Sequence, residues 1–311
     1  MSFWSGKKVF VTGVSGLIGQ HLLAHLSELG AELALFTHSS IIMPTDIPNY
    51  NKFKGDISNK QDIETALVKF PADLVIHLAA QSQTSNENIR DTFQTNTLGT
   101  LNLFEAVSAV RPNASVILAS SIAVQFPDNM YAPSTYAASK QCAEIIAQNY
   151  SAARGINCMV IRLGNTYGPG DHHNQRLVPS LIQAMLNKEK IQLRSNIDTE
   201  TNLLYVEDAV NGFLLVGEYL LQDKRLYSAL TLCANMNVTT RELVSSLSKI
   251  LDLSANVALN ENLSLKVAEH AILPSELLVS TLGWQPKVKM SDGLEQTVNY
   301  YRQTLNIQGT D

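Results

Sequence analysis

Tyr136 and Lys140 stand four residues apart in the stretch STYAASK, Ser134–Lys140, where a helical pattern begins. That spacing puts both side chains on one helix face. A phenol with an unperturbed pKa of about 10 is a poor acid–base group at neutral pH. A neighbouring ammonium stabilises the phenolate and lowers that pKa, so the pair can exchange a proton with a substrate. Upstream, SVILASSIAVQ places Ser120 and Ser121 at the carboxyl end of an apolar strand, where open α/β sheets bind their ligands. A serine at that end can hydrogen-bond a substrate carbonyl or alkoxide. A YxxxK match alone describes many amphipathic helix starts, so the catalytic reading rests on the whole set.

Such a set needs a cofactor, and the N-terminal stretch VFVTGVSGLIGQHL offers a place for one. Gly13, Gly16 and Gly19 recur every third residue between an apolar strand and a helical pattern. Backbone N–H groups and the positive end of a helix dipole attract a pyrophosphate, and glycines allow the close approach. The spacing is GxxGxxG rather than GxGxxG, and by itself it is equally a turn and packing feature. The repeated strand–helix pattern behind it argues for a nucleotide. At the end of the second strand Thr37 takes the place where an acid would accept ribose hydroxyls, and His38, Ser39 and Ser40 follow. With no carboxylate there to repel a 2′-phosphate, NADP is the expected cofactor and NAD the alternative; the bland reading is a polar turn. His21 and His25, four apart on the first helix, lack the glutamate of a zinc-protease helix, so no metal is expected.

The elements that must hold these residues alternate along the first half. Strands are expected at Lys8–Val11, Glu32–Phe36, Lys52–Gly55, Asp73–His77, Ser115–Ala119 and Cys158–Leu163. Helices are expected at Gly16–Leu29, closed by Gly30, at Asp62–Phe70, as one long helix at Asp91–Val110, and at Tyr136–Arg154. This alternation implies an α/β fold with a doubly wound parallel sheet. After Gly170 the rhythm changes: helices are expected at Leu177–Asn187, Val206–Leu221, Thr239–Leu251 and Met290–Thr304, and Thr231–Ala234 can return to the sheet. The reading assigns residues 1–168 to a dinucleotide-binding domain, with 204–234 available to complete its sheet. Residues 169–203 and 235–311 form a smaller C-terminal lobe that closes a cleft above it.

The 311 residues suffice for a sizeable core, and 45% hydrophobic with 16% charged residues suits a globular enzyme. A net charge of −5 without a basic block disfavours nucleic acid as a partner. Cys142, Cys158 and Cys233 form no CxxC pair and suit a reducing compartment. Neither a signal peptide nor a transmembrane run is evident, so a cytoplasmic protein with no membrane partner is expected.

Taken together these stretches resemble the extended short-chain dehydrogenase/reductase family, in particular its nucleotide-sugar epimerases, dehydratases and reductases, over nearly the whole chain. The resemblance implies a Rossmann fold with a nucleotide-sugar substrate. TGVSGLIGQHL is similar to the family's cofactor loop, which implies contacts from Gly13, Ser15, Gly16, Leu17, Ile18 and Gly19. GDIS implies that Asp56 meets the adenine, beside Ile57, and HLAAQS implies that Leu78, Ala79, Ala80 and Gln81 lie beneath the cofactor. NTLGT matches the structural NxxGT segment that begins at Asn96, which joins the expected cofactor contacts. Ala119 and Leu163 close the cofactor set, and Ser121, Tyr136 and Lys140 align with the Ser–Tyr–Lys catalytic residues. RLGNTYGPGD is similar to the RxxNxYGPG segment whose asparagine, here Asn165, contacts the substrate phosphates. The continuation DHHNQRLVPSL looks most like the CDP-glucose 4,6-dehydratase branch; it adds Leu177 and Val178 to Gln81, Ser120 and Ser121 as expected substrate contacts.

Two departures shape the expected activity. Many members carry an Asp and a Glu after the catalytic hydroxyl to eliminate water, and Ile122 and Ala123 stand there instead, which argues against dehydration. The family's pyrophosphate-binding arginine is replaced by Thr201 in TNLLYVED, leaving Arg176 or Arg194 to supply that charge. The leading expectation is an NADPH-dependent reductase of a nucleotide-linked 4-keto-6-deoxyhexose. The alternatives are an NAD-dependent nucleotide-sugar 4-epimerase and, from another class, a noncatalytic NADP-sensing protein. A homodimer built on the Asp91–Val110 and Tyr136–Arg154 helices is the expected assembly. The base, the sugar and its C4 stereochemistry are not readable from the sequence.

Overall fold

The computed structural model describes residues 2–38, 47–48, 50–82, 88–125, 132, 134–193, 195–222, 224, 228–258 and 274–308. The chain divides into two units. The first comprises Met1–Leu163, Val210–Leu232 and Ser275–Trp284; the second comprises Gly164–Ala209, Cys233–Pro274 and Gln285–Asp311.

Short runs of apolar residues make the strands of the first unit: β1 (Lys8–Thr12), β2 (Glu32–Thr37), β3 (Tyr50–Lys54), β4 (Leu74–His77), β5 (Ser115–Ser121) and β6 (Cys158–Leu163). With Ser228–Leu232 they form a seven-stranded sheet, ordered Ser228–Leu232, β6, β5, β4, β1, β2, β3. Every pairing in it is parallel. Buried strands in such a sheet read as continuous hydrophobic runs, and β1, β4 and β5 do. β3 forms one edge and is partly exposed, with Lys52 and Lys54 keeping that edge soluble. The chain runs outward from β1 through β2 to β3, then starts the other half at β4. The switch in strand order therefore falls between β1 and β4, where doubly wound sheets place their ligand.

Helices α1 (Leu17–Glu28), α2 (Lys60–Lys69), α3 (Ile89–Phe93), α4 (Gly99–Val110) and α5 (Thr135–Arg154) provide the crossovers. Aromatic rings fill the space between layers: Phe10 packs on Phe36 and Phe53 at 5.8 and 6.5 Å between centroids, and Phe104 on Tyr150 at 5.7 Å. Gly30, at φ +83°, closes α1 as its glycine predicts, and Ala31 N–H reaches back to the Leu26 carbonyl at 2.9 Å.

The single helix expected at Asp91–Val110 is three pieces. α3 is capped by Asn88, whose side chain accepts from Asp91 N–H at 3.2 Å, and a π turn over Gln94–Leu98 joins it to α4. Wide turns of this kind recur at functional sites. Here Asn96 lies inside the turn, 1% exposed. Gly99 follows because a Cβ there would come within 2.9 Å of Ile57 Cγ2. The expected strand at Thr231–Ala234 forms earlier, as Ser228–Leu232, in register with β6. A helix not anticipated, α9 (Glu276–Leu282), ends at Gly283 with φ +65°.

The second unit is built from short pairings and helices. Asn165–Tyr167 lies parallel to Leu203–Tyr205, Glu200–Thr201 antiparallel to Val238–Thr239, and Ile191–Gln192 parallel to Val257–Ala258. Its helices include α6 (Leu177–Leu186), α8 (Thr240–Leu251) and α10 (Met290–Gln308); α7 (Val206–Leu221) starts in this unit and continues in the first. Tyr167 and Tyr205 meet edge to face at 5.5 Å. The buried Asp208 carboxylate accepts from the backbone N–H groups of Lys287 and Val288 at 2.9 and 3.1 Å. Among the described residues no helix is long and apolar enough to cross a membrane.

Candidate active site

The glycine loop leaves β1 at Thr12 and enters α1 at Gly16. Gly13 has φ +73°, and a Cβ there would stand 2.4 Å from the Ala79 nitrogen on the loop after β4. A Cβ on Gly19 would stand 2.6 Å from the Gly13 carbonyl oxygen and 2.8 Å from Val14 Cα. The first and third glycines are therefore required by backbone crossing backbone. Gly16 is the N-cap; no side chain caps α1 and no acid lies in its first turn. The amides of that turn are the donors that a pyrophosphate takes up.

Beside this loop lies a cavity of about 450 Å³, lined by Gly13, Ser15, Thr37, His38, Asp56, Ile57, Ala79, Ala80 and Gln81. Asp91, Gln94 and Thr95 also line it, which sequence reasoning did not foresee. The volume falls in the range of ligand pockets, roughly 300–1,000 Å³. The glycine cradle, the uncapped helix and this cavity together fit a dinucleotide. Leu17, 5% exposed, and the half-buried Ile18 lie in the first turn of α1, where their amides belong to the donor set. His38 Nε2 stands 3.6 Å from Asp56 Oδ2, so the rim at the end of β2 has a carboxylate after all, supplied from the β3–α2 loop. Asp56 also accepts from Ser58 N–H at 2.8 Å. Ser39 and Ser40 lie outside the described residues.

A buried chain of hydrogen bonds fixes both walls of this cavity. Ala79 N–H donates to Thr12 Oγ1 at 3.2 Å, and Thr12 Oγ1 lies 2.7 Å from His77 Nδ1. His77 Nε2 lies 3.2 Å from Thr100 Oγ1, which donates to the Asn96 carbonyl at 2.6 Å. Because Thr100 spends its proton on that carbonyl, the chain is consistent in one sense only: Thr12 donates to Nδ1 and Nε2–H donates to Thr100. Burial, with the Lys140 charge in support, pushes the imidazole down to about 3 and keeps it neutral. Asn96 closes the circuit. Its amide donates to the Gln81 carbonyl at 3.0 Å and to Ser139 Oγ at 2.9 Å, and its Oδ1 accepts from Gln81 N–H at 2.7 Å. Asn96, expected as a cofactor contact, grips the Gln81 loop that lines the cavity. Leu78 N–H bonds the Thr12 carbonyl at 3.2 Å, holding that same loop to β1.

The residues expected to transfer a proton lie on β5 and α5. Ser121 ends β5 in register with Leu163 of β6. Its Oγ accepts from Ala123 N–H at 3.1 Å, capping a one-turn 3₁₀ helix at Ile122–Val124 and leaving its own proton to donate. Ser134 caps α5 by accepting from Ala137 N–H at 3.1 Å. Tyr136 follows in the first turn, half-buried, and Lys140 one turn later, 4% exposed. Lys140 Nζ donates to the Ala119 carbonyl at 2.8 Å. Burial pushes this ammonium down to about 8, with the Glu144 carboxylate opposing.

Ser120 departs from expectation. Successive strand residues face opposite ways, and Ser120 is 3% exposed with its hydroxyl donating to Glu144 Oε1 at 2.5 Å. It is committed to the scaffold rather than turned to a substrate. Arg162 meets the same carboxylate, Nε at 3.0 Å from Oε1 and Nη2 at 2.7 Å from Oε2. Sequence reasoning missed this cluster.

In the second unit Asn165 is exposed and its amide donates to Thr201 Oγ1 at 2.8 Å, so the residue standing in for the family's arginine is bonded to the expected phosphate contact. Arg176 Nη1 lies 3.4 Å from the buried Asp171 carboxylate. Val178 is 2% exposed in that unit's core and Leu177 is half-buried. Arg194 lies outside the described residues.

Two outcomes follow from the cavity walls. Gly13→Ala puts an L-residue at φ +73°, a backbone cost of roughly 1–2 kcal/mol, and drives its Cβ into Ala79. Fluorescence titration should show nicotinamide dinucleotide binding weakened at least about tenfold (~1.4 kcal/mol), and the thermal midpoint should fall. For His77, below pH 6.5 the unfolded ring is protonated while the folded one stays neutral to about pH 3. Unfolding then takes up a proton, so His77 contributes a loss of stability as pH falls through that window. His77→Asn should be less stable at pH 7, yet lose less of its urea midpoint between pH 7 and pH 5 than the natural protein does.

Residues 9–227 match the sequence model of the family described as "NAD dependent epimerase/dehydratase family". A CDP-glucose 4,6-dehydratase of Salmonella typhimurium is 27% identical over 257 residues, 73% of this chain and 70% of that protein. A dTDP-4-dehydro-6-deoxy-D-allose reductase of a Streptomyces species is 26% identical over 333 residues, 96% of this chain and 97% of that one. The structure of the Thermus thermophilus UDP-glucose 4-epimerase in complex with NAD superposes with a TM-score of 0.80 at 25% identity, covering 94% of this chain and 98% of that one. With the parallel sheet, the glycine crossing and the Ser–Tyr–Lys set, these likenesses agree: the chain belongs to the NAD-dependent epimerase/dehydratase family, in the nucleotide-sugar group of the extended short-chain dehydrogenases/reductases.

Proposed function

We propose that the protein is an NADPH-dependent reductase of a nucleotide-linked 4-keto-6-deoxyhexose. The observation that carries this reading is the turn after Ser121. Elimination of water needs a second acid and base, and the turn offers Ile122 and Ala123, whose side chains carry no proton. What is left is a set suited to moving one proton to or from one oxygen. The nicotinamide, when bound, supplies the hydride. Tyr136 gives its proton to the carbonyl oxygen as charge builds there, and Ser121 donates its remaining hydrogen bond to the same oxygen. Lys140, below the usual ammonium range yet still protonated at neutral pH, stabilises the phenolate left behind. Donors fixed in advance around a developing oxyanion are the main source of acceleration in such a site. The Streptomyces reductase, matched over nearly its full length, supports the same direction of chemistry.

For the cofactor, β2 ends in Thr37 without a carboxylate, and His38 stands exposed at the rim, where its ring N–H can hydrogen-bond a 2′-phosphate. Asp56, 3.6 Å from His38, competes for that imidazole and favours a second reading: a nucleotide-sugar 4-epimerase holding NAD. A homodimer through α4 and α5 fits the exposed apolar Leu98 and Ile145, 45% and 60% exposed near those helices.

The test is a panel of CDP-, dTDP-, GDP- and UDP-linked 4-keto-6-deoxyhexoses and hexoses with NADH and NADPH. Net reduction of a 4-keto sugar with NADPH is expected, and Tyr136→Phe should lower kcat by about 10²- to 10⁴-fold while sparing cofactor binding. Purified protein that carries NAD and interconverts two sugar nucleotides without added cofactor establishes the epimerase instead. No turnover with any member revives the NADP sensor. Light scattering at micromolar concentration should give twice the mass of one chain, and Ile145→Lys should shift that mass toward the monomer.

A further inference from the structure

Behind the candidate catalytic set, two buried charged side chains, Lys140 and Glu144, lie with the partly exposed Arg162, and the chemistry assigned so far uses one of the three. Lys140 and Glu144 are one helical turn apart on α5, 4% and 8% exposed, and Arg162 reaches Glu144 from β6. The contacts to β5 run in sequence. Ala119 gives its carbonyl to Lys140 at 2.8 Å, Ser120 gives its hydroxyl to Glu144 at 2.5 Å, and Ser121 is the catalytic hydroxyl. Two adjacent strand residues thus bind two helix residues one turn apart, which sets the register of the helix carrying Tyr136 against the strand carrying Ser121.

We propose that Glu144 is a positioning residue of the reaction: its carboxylate holds Lys140 in place as a cation and fixes α5 against β5. This rests on the reading of Tyr136 and Lys140 as the proton-transfer pair. An ammonium so deeply buried loses hydration, and a nearby anion, together with the Ala119 carbonyl, offsets that loss. The groups that face it are known from each neighbouring element. α5 contributes Tyr136 and Glu144, β4 the neutral His77, and β6 the Arg162 guanidinium; Asn96 and Ser139 nearby carry no charge. Glu144 is the one carboxylate among them. Arg162 bonds it directly, Lys140 lies one helical turn away on the same helix, and in this proposal the two cations share its charge.

A bridge that only stabilised the fold would act differently. Buried ion pairs are weak contributors to stability and are often replaced by apolar residues at little cost. The sharing predicts opposite signs for the two partners. Glu144→Gln removes the anion and lowers the titration midpoint of Lys140. Arg162→Met frees the carboxylate for Lys140 and raises it.

The experiment follows the ε-carbon signal of Lys140 by NMR in the full chain labelled with [ε-¹³C]lysine, assigned with Lys140→Met, without substrate. The expected result is a midpoint lower by about one pH unit or more in Glu144→Gln and higher in Arg162→Met, with the alkaline limb of the kcat profile moving the same way in each. An unchanged midpoint in Glu144→Gln, shifts of the same sign in both variants, or a limb that ignores the midpoint overturns the proposal. Where Glu144→Gln does not fold, Arg162→Met decides alone, and a midpoint that stays or falls overturns it. Natural protein that titrates as expected but turns over no sugar nucleotide refutes the reductase reading, while the midpoints still decide the role of Glu144.

Discussion

Everything the site does depends on two loops passing at backbone distance where the strand order reverses. At Gly13 the chain leaves β1 and crosses Ala79 on the loop after β4 so closely that no side chain fits between them. That crossing gives the cavity its floor and points the first turn of α1 at it. It also explains why the polar groups nearby are bonded so fully. Once water is excluded from the crossing, each N–H and hydroxyl needs a partner within the protein. Thr12, His77, Thr100 and Asn96 supply those partners in a single directed sequence. The imidazole works here as a neutral spacer with one fixed tautomer, and its basicity is suppressed by the same burial that makes the crossing rigid.

A second buried layer lies behind the proton-transfer residues. The strand turns Ser121 one way and Ser120 the other, so one hydroxyl caps the turn at Ile122–Val124 and its neighbour binds Glu144. Lys140 sits between the two, its ammonium anchored on the Ala119 carbonyl, one helical turn after Tyr136 and one before Glu144. The network is therefore continuous from Arg162 on β6 through Glu144 on α5 to Ser120 near the end of β5, with Glu144 and Ser120 buried.

Much of this was legible in the residues alone, and the misses have physical causes. The three glycines, the alternation of strand and helix, and Val206–Leu221 were readable because each rests on local rules: apolar period, turn chemistry and caps. The Gln94–Leu98 turn was invisible because a wide turn inside a long amphipathic stretch keeps nearly the same period. Ser120 was readable in principle, since period-two alternation already separates it from Ser121. Glu144 was not; a glutamate in an amphipathic helix ordinarily faces water, and only the packing of β5 and β6 against α5 buries it. Asp56 and His38 are eighteen residues apart and come together through the pairing of Thr37 with Lys54, which no local pattern encodes.

The discontinuity of the first unit bears on how the protein is made. On the ribosome, six strands emerge by Leu163, but the seventh, Ser228–Leu232, follows only after the stretch Gly164–Ala209 of the other unit. Until then β6 is an open rim, with a row of backbone donors and acceptors unspent beside the residues that hold Glu144. For tens of residues of synthesis the nascent chain thus carries a nearly finished sheet that another strand could extend. The helix at Glu276–Leu282 joins later still, so a release from the ribosome short of Trp284 yields a sheet without its full cover.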